Sequence, residues 1–373
     1  MSNNLKLHII TFDVPFPADY GGVIDVFYKI RALSEAGTDI ILHCFQYGRL
    51  PAPELNQYCS EVYYYPRNTS RSLFFKTQPY IVLSRMNADL KKRLLRDELP
   101  ILMEGMHSTG YLADHDLANR FKIVRTHNVE HEYYAGLAKS ETNIFKRYYF
   151  YSEAEKLKKH ESVFRHANAI AAISPSDTAH HLHKYPGVHY VPAFHPYEQV
   201  DVKPGKSDYA LYHGNLSVSE NNEAALYLVR EIFNDLPYKL VIAGNRASAE
   251  LKKAVKGNDR ISIREEPTEH EMEKLIRHAQ CNVLPAFQAT GIKLKLLSAL
   301  FLGRKCIVNS QMVINSGLES LCILADSPER MKEKVAEAME VGFPMEEISR
   351  REEILLKDFS NKENVRKLIQ LMT

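Results

Sequence analysis

The sequence predicts an α/β protein that contains two doubly wound parallel sheets in tandem. Short apolar runs alternate with longer amphipathic segments along all 373 residues, and this alternation is typical of parallel strands joined by helical crossovers. A single hydrophobic core rarely grows to this chain length, so two domains are expected. Proline, glycine and polar residues interrupt the periodicity at 193–207, and this stretch is the predicted linker.

The first predicted domain, residues 1–192, contains seven strands. They are Leu5–Phe12, Asp39–Cys44, Glu61–Tyr65, Ile101–Met103, Lys122–Thr126, Ala169–Ile173 and His189–Val191. Each is a short apolar or β-branched run, and segments with helical periodicity separate them, as at 22–36 and 150–165.

The second predicted domain, residues 208–347, repeats this pattern with six strands. They are Tyr209–Tyr212, Lys239–Ile242, Arg260–Ile263, Asn282–Pro285, Lys305–Val308 and Leu321–Leu324. Its predicted helices begin near Glu220, Ala247, Glu269, Ile292 and Pro328, and a last helical stretch occupies 348–373. In such sheets ligands bind beyond the carboxyl ends of the strands, where loops meet helix N-termini.

The composition argues against several classes of function. The formal net charge of +2 gives no support for a nucleic-acid partner. The five cysteines form no CxxC pair, which favours buried thiols in a reducing compartment over disulfides or a zinc site. No stretch approaches the roughly 18 apolar residues of a membrane span, and the apolar run at 5–12 is too short for a signal peptide. We therefore expect a cytoplasmic protein.

Two adjacent glycines follow the first strand. Gly21 and Gly22 begin a predicted helix, and glycines there let the backbone approach a ligand and expose N–H groups toward negative charge. A plain loop with a glycine N-cap would have the same sequence. The pair is a candidate ligand-binding element.

A polar cluster at 126–132 follows the fifth strand. Buried polar side chains need partners, so either solvent or a ligand must satisfy these groups. His127 is the candidate functional residue, because an imidazole can bind a hydroxyl or relay a proton near neutral pH. Asn128 is the candidate N-cap of the helix that follows.

The strongest signal lies at 285–300, where a strand ends and a short loop leads into an apolar helix. Lys293 and Lys295 in the first helical turn add positive charge to a helix end that is already partly positive, which indicates a bound anion such as a diphosphate. Three backbone N–H groups would cradle it, those of Thr290, Gly291 and Ile292. Two solvated lysines are the simpler alternative, but positions 293 and 295 point to different sides of a helix.

The sequence contains six segments in this order: Gly21-Gly22, Thr126–Glu130, Ala171–Asp177, Tyr212–Leu216 with Asn222, Leu240–Gly244 and Gly291–Leu297. Through them the chain resembles glycosyltransferases of the GT-B fold, which have similar segments in the same order, over nearly its full length. The resemblance is closest to the retaining family 4 type.

The resemblance implies two Rossmann-like domains that face a central cleft, with the acceptor domain first and the nucleotide-sugar domain second. It implies retaining transfer of a hexose-type sugar from a nucleotide-diphosphate donor to a glycan or lipid-linked acceptor, in polysaccharide or glycoconjugate synthesis of a bacterial type. No cofactor and no metal are implied. The stretch 348–373 is implied to pack back on the first domain.

The resemblance also implies roles for individual residues. His127, Lys293 and Lys295 would be catalytic. Donor contacts are implied for Gly21, Gly22, His213, Gly214, Asn215, Thr290, Gly291, Ile292 and Ser298, with Glu130 as a further site residue. Ser298 stands where the family usually has a glutamate for the ribose hydroxyls, and a hydroxyl lacks the charge-assisted bond of that glutamate.

Two motifs that resemble metal sites are interpreted as structural. The DHD sequence at 114–116 lies in a polar helical stretch and is interpreted as a solvated helix face. His180, His181 and His183 have no obvious fourth ligand and are interpreted as part of a surface helix.

The stretch Arg67–Arg96 has eight basic residues, one acidic residue and several aromatic residues. Such a mixture suits an anionic membrane surface or a lipid-linked acceptor, and Lys146, Arg147 and the aromatic run 148–151 form a second patch of this kind. An ordinary solvated helix is the alternative. On the membrane interpretation, we expect peripheral contact with the inner membrane face.

Two rival functions remain beside the transferase. A catalytically weak GT-B subunit, which would act as a binding or regulatory partner of another transferase, would explain Ser298. A sugar-nucleotide epimerase of the same fold agrees less well with the sequence, because the donor loop lacks a dense set of histidine and carboxylate residues.

Overall fold

The computed structural model describes residues 5–141, 143–287, 294–314 and 316–372. These residues form two compact units. The first unit contains the described residues up to Pro196 and from Phe359 onward, and the second contains those from Tyr197 to Asp358. The chain therefore passes from the first unit to the second inside the segment that has no periodicity.

The described part of the first unit contains a parallel sheet of seven strands. The strands are β1 (Lys6–Thr11), β2 (Asp39–Gln46), β3 (Glu61–Pro66), β4 (Ile101–Glu104), β5 (Lys122–Thr126), β6 (Ala169–Ala172) and β7 (Val188–Tyr190). Their spatial order is β3-β2-β1-β4-β5-β6-β7. Strands β4, β5 and β6 are buried along their whole length, as expected for a parallel sheet with helices on both faces. All seven predicted strands are present, with small shifts at their ends.

Six helices follow strands of the first sheet. They are α1 (Gly21–Glu35), α2 (Tyr80–Leu83), α3 (Ala88–Leu94), α4 (Glu130–Ser140), α5 (Ile144–His160) and α6 (Pro175–Leu182). Helix α1 buries Val23, Val26, Ile30 and Leu33 in the core, and their spacing of three and four residues forms one helical face. Helices α4 and α5 pack against each other.

The second unit contains a parallel sheet of six strands within the described residues. The strands are β8 (Tyr209–His213), β9 (Lys239–Gly244), β10 (Ile261–Glu265), β11 (Cys281–Val283), β12 (Lys305–Val308) and β13 (Ile323–Leu324), in the spatial order β10-β9-β8-β11-β12-β13. The helices are α7 (Ser219–Tyr227), α8 (Ala249–Val255), α9 (Glu269–His278), α10 (Leu294–Leu302), α11 (Ser310–Val313), α12 (Pro328–Glu340) and α13 (Met345–Asp358). Strand β11 ends before the predicted Pro285, because proline has no N–H group to donate to a ladder.

The predicted C-terminal helix is two helices. Helix α13 lies in the second unit, and α14 (Asn361–Gln370) lies in the first. Ser360, in extended conformation, occupies the N-cap position of α14. Helix α14 packs on α1 and adds Val365 and Leu368 to the core of the first unit. The first unit thus takes its last helix from the end of the chain.

Each sheet reverses its strand order at one place, and ligands of doubly wound folds bind at such switch points. The reversal lies between β1 and β4 in the first sheet and between β8 and β11 in the second. Functional side chains are therefore expected in the loops after these four strands and after the adjacent β5.

Candidate active site

His127 follows β5 and bonds to a buried carboxylate at the end of β4. Its Nε2 lies 3.0 Å from Glu104 Oε2. Strands β4 and β5 are paired with Glu104 opposite Arg125, so the sheet brings the two side chains to the same edge. Glu104 is fully buried, whereas His127 keeps 9% of its side-chain surface exposed. His127 is therefore the member of the pair that a substrate can reach.

A buried lysine shares the Glu104 carboxylate. Lys29 on α1 donates to Glu104 Oε2 at 2.9 Å and to Asp25 Oδ2, one helical turn away, at 2.7 Å. Burial acts to raise the pKa of both carboxyl groups, but their hydrogen-bonding and charged neighbours outweigh it. Lys29 and His127 lower the pKa of Glu104, and Arg125 with Lys29 lowers the pKa of Asp25. Both groups are therefore carboxylates at neutral pH.

Arg125 completes this charged cluster from β5. Its Nη2 donates to Asp25 Oδ1 at 2.8 Å, and its Nε donates to Asp25 Oδ2 at 3.2 Å. Its other N–H groups donate to the carbonyl oxygens of Val191 and Pro192. Two cations and two carboxylates balance one another, which buried charges require. The cluster fixes α1, β4, β5 and the chain after β7 around one point.

The cluster determines which nitrogen of His127 carries the proton. Because the ionised Glu104 can only accept, we assign the proton to Nε2 and the lone pair of the neutral ring to Nδ1. The ring lies edge-on to Phe12, with centroids 5.4 Å apart. An imidazole held in this way can accept a hydrogen bond from a substrate hydroxyl or take up its proton.

Helix α1 begins at Gly21, close to the same edge of the sheet. A Cβ on Gly22 would lie 2.8 Å from Phe12 Cζ, so a larger residue at this position would have to displace the Phe12 ring. Tyr20 at the N-cap position makes no capping bond with its side chain, and its hydroxyl donates to Asp13 instead. A helix start without a side-chain cap is suited to an anionic ligand.

The prediction that Asn128 caps α4 is wrong. The helix begins at Glu130, and Val129 occupies the N-cap position, because the chain stays extended for one more residue and buries the valine side chain. Burial and the nearby Asp177 carboxyl raise the pKa of Glu130 to about 8, against a hydrogen bond from Asn128 that lowers it. Glu130 therefore carries its proton at neutral pH and can donate a hydrogen bond.

In the second unit, β8 ends at His213, at the switch point. Gly214 and Asn215 begin the loop that connects this strand to α7. A Cβ on Gly244 would lie 1.9 Å from the Gly214 oxygen, so the ends of β8 and β9 touch through bare backbone. The Asn215 side chain accepts two hydrogen bonds from the serine two residues later, which closes a tight turn before α7. Burial, with a smaller effect from Lys295, lowers the pKa of His213 to about 3, so this ring is neutral.

Lys295 extends from the first turn of α10 toward the β8 side of the switch point. Its Nζ donates to Asn221 Oδ1 at 2.8 Å and to the Tyr212 hydroxyl at 3.5 Å. The other predicted diphosphate ligands, Thr290, Gly291, Ile292 and Lys293, lie outside the described residues.

Ser298, the predicted ribose contact, bonds within the second unit. Its hydroxyl donates to the Leu294 carbonyl at 3.2 Å and accepts from the Tyr197 hydroxyl at 2.9 Å. The Tyr197 ring stacks on Phe301. Because its proton is bound to the helix, Ser298 offers a ribose only acceptor capacity. Tyr197 was not predicted, since it stands in a segment without periodicity.

The DHD sequence and the histidines of α6 were both interpreted as structural, exposed features. Asp114 and Asp116 of the DHD sequence both pair with Lys91, at 2.7 and 2.8 Å. The prediction that the histidines of α6 lie on the surface is wrong for His181. This ring is buried and packs edge-on against Phe164, because α6 turns that face toward the core.

The basic stretch Arg67–Arg96 does not form a single exposed face. Arg85 is buried and donates to a backbone carbonyl at 2.7 Å. The largest exposed aromatic surfaces belong to Phe75, 90% exposed, and to Phe145 and Tyr148 at the start of α5, 86% and 77% exposed. Within the described ranges, no helix is long and apolar enough to cross a membrane.

Residues 207–345 match the model of the family Glycosyl transferases group 1. This part of the chain is therefore similar to a group 1 glycosyltransferase domain. This domain coincides with the greater part of the second unit, and it includes the switch-point residues His213, Gly214, Asn215 and Lys295. The match supports a glycosyltransferase.

The chain is also similar to one curated protein and to several solved structures. An uncharacterized 44.6 kDa protein in the cps region of Klebsiella pneumoniae is 26% identical over 316 residues, which are 79% of this chain and 80% of the relative. TarM of S. aureus matches with a TM-score of 0.69 at 10% identity and covers 99% of both chains. HepE of Anabaena, solved with UDP and glucose, matches with a TM-score of 0.68 at 10% identity over 98% of this chain and 99% of its own. These structures confirm the GT-B fold.

The charged cluster of the first unit was not predicted. Its members are Asp25, Lys29, Glu104 and Arg125. The signal was present, because each charge stands on an otherwise apolar helix face or strand, and such groups are rarely buried unless paired. The sequence does not show which charges pair, since Arg125 and Asp25 are 100 positions apart.

Proposed function

We propose that the protein transfers a hexose-type sugar from a nucleotide-diphosphate donor to a glycan or lipid-linked acceptor, with retention of configuration. The group 1 domain at 207–345 is the observation that carries this proposal. HepE, solved with UDP and glucose, supports a nucleotide-sugar as donor. The relative from a cps region supports a role in polysaccharide or glycoconjugate synthesis.

The second unit binds the donor in this proposal. The diphosphate leaving group gains negative charge in the transition state, and fixed positive groups stabilise it there. Lys295 lies at the switch point and would serve as one such group, and Lys293 with the N–H groups of 290–292 would complete the set. We propose that no metal and no cofactor is required, because two lysines at this site would supply the charge that a divalent cation could otherwise supply.

In the first unit, His127 would accept a hydrogen bond from the transferred sugar through Nδ1. Glu104 and Lys29 already hold the ring, so the group would not have to reorganise during the reaction. Glu130, protonated at neutral pH, would donate a hydrogen bond near the same strand end. The start of α1 at Gly21 and Gly22 would receive an anionic or hydroxyl group of the substrate.

Calorimetric titration of UDP, GDP, ADP and dTDP, with EDTA present, tests the donor site. We expect one nucleotide to bind saturably, and we expect Lys295→Ala to weaken its binding by about tenfold or more, since a charge-assisted bond contributes about 1.5–3 kcal/mol. Lys274→Ala is the matched control, because Lys274 is an exposed lysine of α9 in the same unit. If no nucleotide binds, with or without Mg²⁺, the donor-site proposal fails.

We also propose peripheral contact with an anionic membrane at the cytoplasmic face. The proposed contact surface consists of Phe75, Phe145 and Tyr148, which are highly exposed, with Lys146 and Arg147 between the last two. Aromatic side chains flanked by cations suit a lipid headgroup layer. Sedimentation with phosphatidylglycerol vesicles should pull down the protein, and Phe75→Ser with Phe145→Ser should reduce this. Equal binding to neutral vesicles, or none to anionic ones, would contradict the proposal.

A catalytically weak subunit is the second candidate function, and one contact favours it. Tyr197 and the helix backbone occupy the Ser298 hydroxyl, so this position does not supply the usual carboxylate to a ribose. On that account the wild type binds nucleotides weakly, and Ser298→Glu restores strong binding. On the transferase account the wild type already binds one nucleotide well, and the change has little benefit.

A further inference from the structure

Three side chains of the first unit converge on one point outside the site described above. His131 lies on α4, His180 lies on α6, and Glu161 directly follows α5. His131 Nδ1 is 3.4 Å from Glu161 Oε2, and His180 Nε2 is 3.1 Å from the same oxygen. The three ligand atoms lie within 4.8 Å of one another.

These distances agree with a shared metal ion. Zinc bonds to histidine nitrogen and carboxylate oxygen are about 2.0–2.2 Å long, so two tetrahedral ligands are about 3.3 Å apart. The distances of 3.4 and 3.1 Å from Glu161 to the two rings bracket this value. Two histidines and one carboxylate also form a ligand set that Zn²⁺ uses with a fourth position open to water.

Both rings direct a nitrogen toward the centre. His180 Nε2 lies 2.9 Å from the Lys184 ammonium and 3.1 Å from Glu161 Oε2, so a metal ion that replaced the ammonium would meet the lone pair of this nitrogen. The other ring nitrogen of His180 lies 4.0 Å from the Glu132 carboxylate, the kind of outer partner that orients metal-bound imidazoles. His131 Nδ1 is buried and makes no hydrogen bond.

The Lys184 ammonium occupies the position that a bound metal ion would take. It donates to Glu161 Oε1 at 2.7 Å and contacts His180 Nε2. Its side chain is 44% exposed, so the ammonium can move into solvent at small cost. The group Asp25, Glu104 and His127 has similar spacing, but there the ammonium of Lys29 is fully buried between both carboxylates and cannot leave.

We propose that His131, Glu161 and His180 bind a divalent transition-metal ion of the zinc class, and that this ion displaces the Lys184 ammonium. The ion would tie α4, α6 and the end of α5 together, so its binding free energy would add to the stability of the first unit. The site is separate from the diphosphate site and does not depend on the proposed transferase activity.

The test is titration of the untagged full-length chain with Zn²⁺ by calorimetry, and with Co²⁺ by visible absorption. We expect one equivalent to bind and Co²⁺ to give the absorption of a four-coordinate site. His180→Ala and Glu161→Gln should each weaken binding by more than about tenfold. His183→Ala is the matched control, because this exposed histidine ends the same helix, and it should leave binding unchanged.

Lys184→Met distinguishes a metal site from a network of ion pairs. If the ion displaces the ammonium, removing the ammonium should make Zn²⁺ bind severalfold more tightly, while the unloaded protein becomes no more stable. The proposal is overturned if the wild type binds no Zn²⁺, or if binding survives in His180→Ala and Glu161→Gln. It is also overturned if Lys184→Met binds Zn²⁺ no better than the wild type.

Discussion

Glu104 holds the imidazole of His127 through a 3.0 Å hydrogen bond, and the same carboxylate oxygen accepts from Lys29 at 2.9 Å. One oxygen thus connects a fully buried ammonium to the partly exposed ring. The arrangement holds the imidazole at the carboxyl edge of the first sheet, with Nε2 facing the Glu104 carboxylate. Four predictions concern this relationship and its surroundings.

Glu104→Gln should lower kcat for sugar transfer without weakening nucleotide binding. An amide can present its N–H group to His127 and so favour the wrong tautomer, and outer partners of this kind typically contribute about 10–100-fold. Steady-state kinetics gives kcat, and calorimetry with the nucleotide gives the affinity of the second unit. An equal loss of kcat and of nucleotide affinity would mean that Glu104 only stabilises the fold.

Lys29→Met should destabilise the first unit by about 3–5 kcal/mol, because it leaves the Asp25 and Glu104 carboxylates buried with a single cation between them. Urea unfolding followed by circular dichroism measures the loss. Lys92→Met provides the control, since Lys92 is 75% exposed and should change stability by less than about 0.5 kcal/mol. Equal losses of stability in the two variants would show that the Lys29 ion pairs do not stabilise the first unit.

Glu130→Gln should stabilise the protein increasingly as the pH rises. The Glu130 pKa is about 8 in the folded chain and 4.5 as its ordinary value. Its neutral form therefore contributes stability that is fully present below about pH 4.5 and is lost as the pH rises through 8. Glutamine cannot ionise, so melting curves should show the variant gaining on the wild type between about pH 5 and 8. Glu98→Gln, at an exposed position, is the comparison, and a constant difference across this window would refute the assignment.

Gly22→Ala should cost about 1–3 kcal/mol through overpacking against Phe12, even though alanine favours helices. Adding Phe12→Leu should recover most of this stability, as thermal melting will show. If Gly22 also lets the backbone approach a substrate, the double variant will stay inactive although it is stable. Recovery of activity together with stability would assign Gly22 to packing alone.

The strands and their division into two parallel sheets could be predicted, because buried parallel strands leave a local signature of short apolar runs. The strand-end loops with His127 and Gly214 were also visible, since polar residues and glycines interrupt those runs. The Lys29–Glu104 ion pair could not be predicted, because the two residues are distant along the chain. The position of Asn128 was misjudged by one residue, since capping depends on where the backbone turns helical and not on side-chain type alone.

The most direct measurement is nucleotide release from UDP-, GDP-, ADP- and dTDP-sugars in EDTA, comparing the wild type with His127→Ala and with His183→Ala. The account predicts release from one donor class by the wild type and by His183→Ala. It predicts a kcat about 100-fold lower for His127→Ala, with the nucleotide affinity unchanged. Absence of release from every donor, or full activity in His127→Ala, would contradict it.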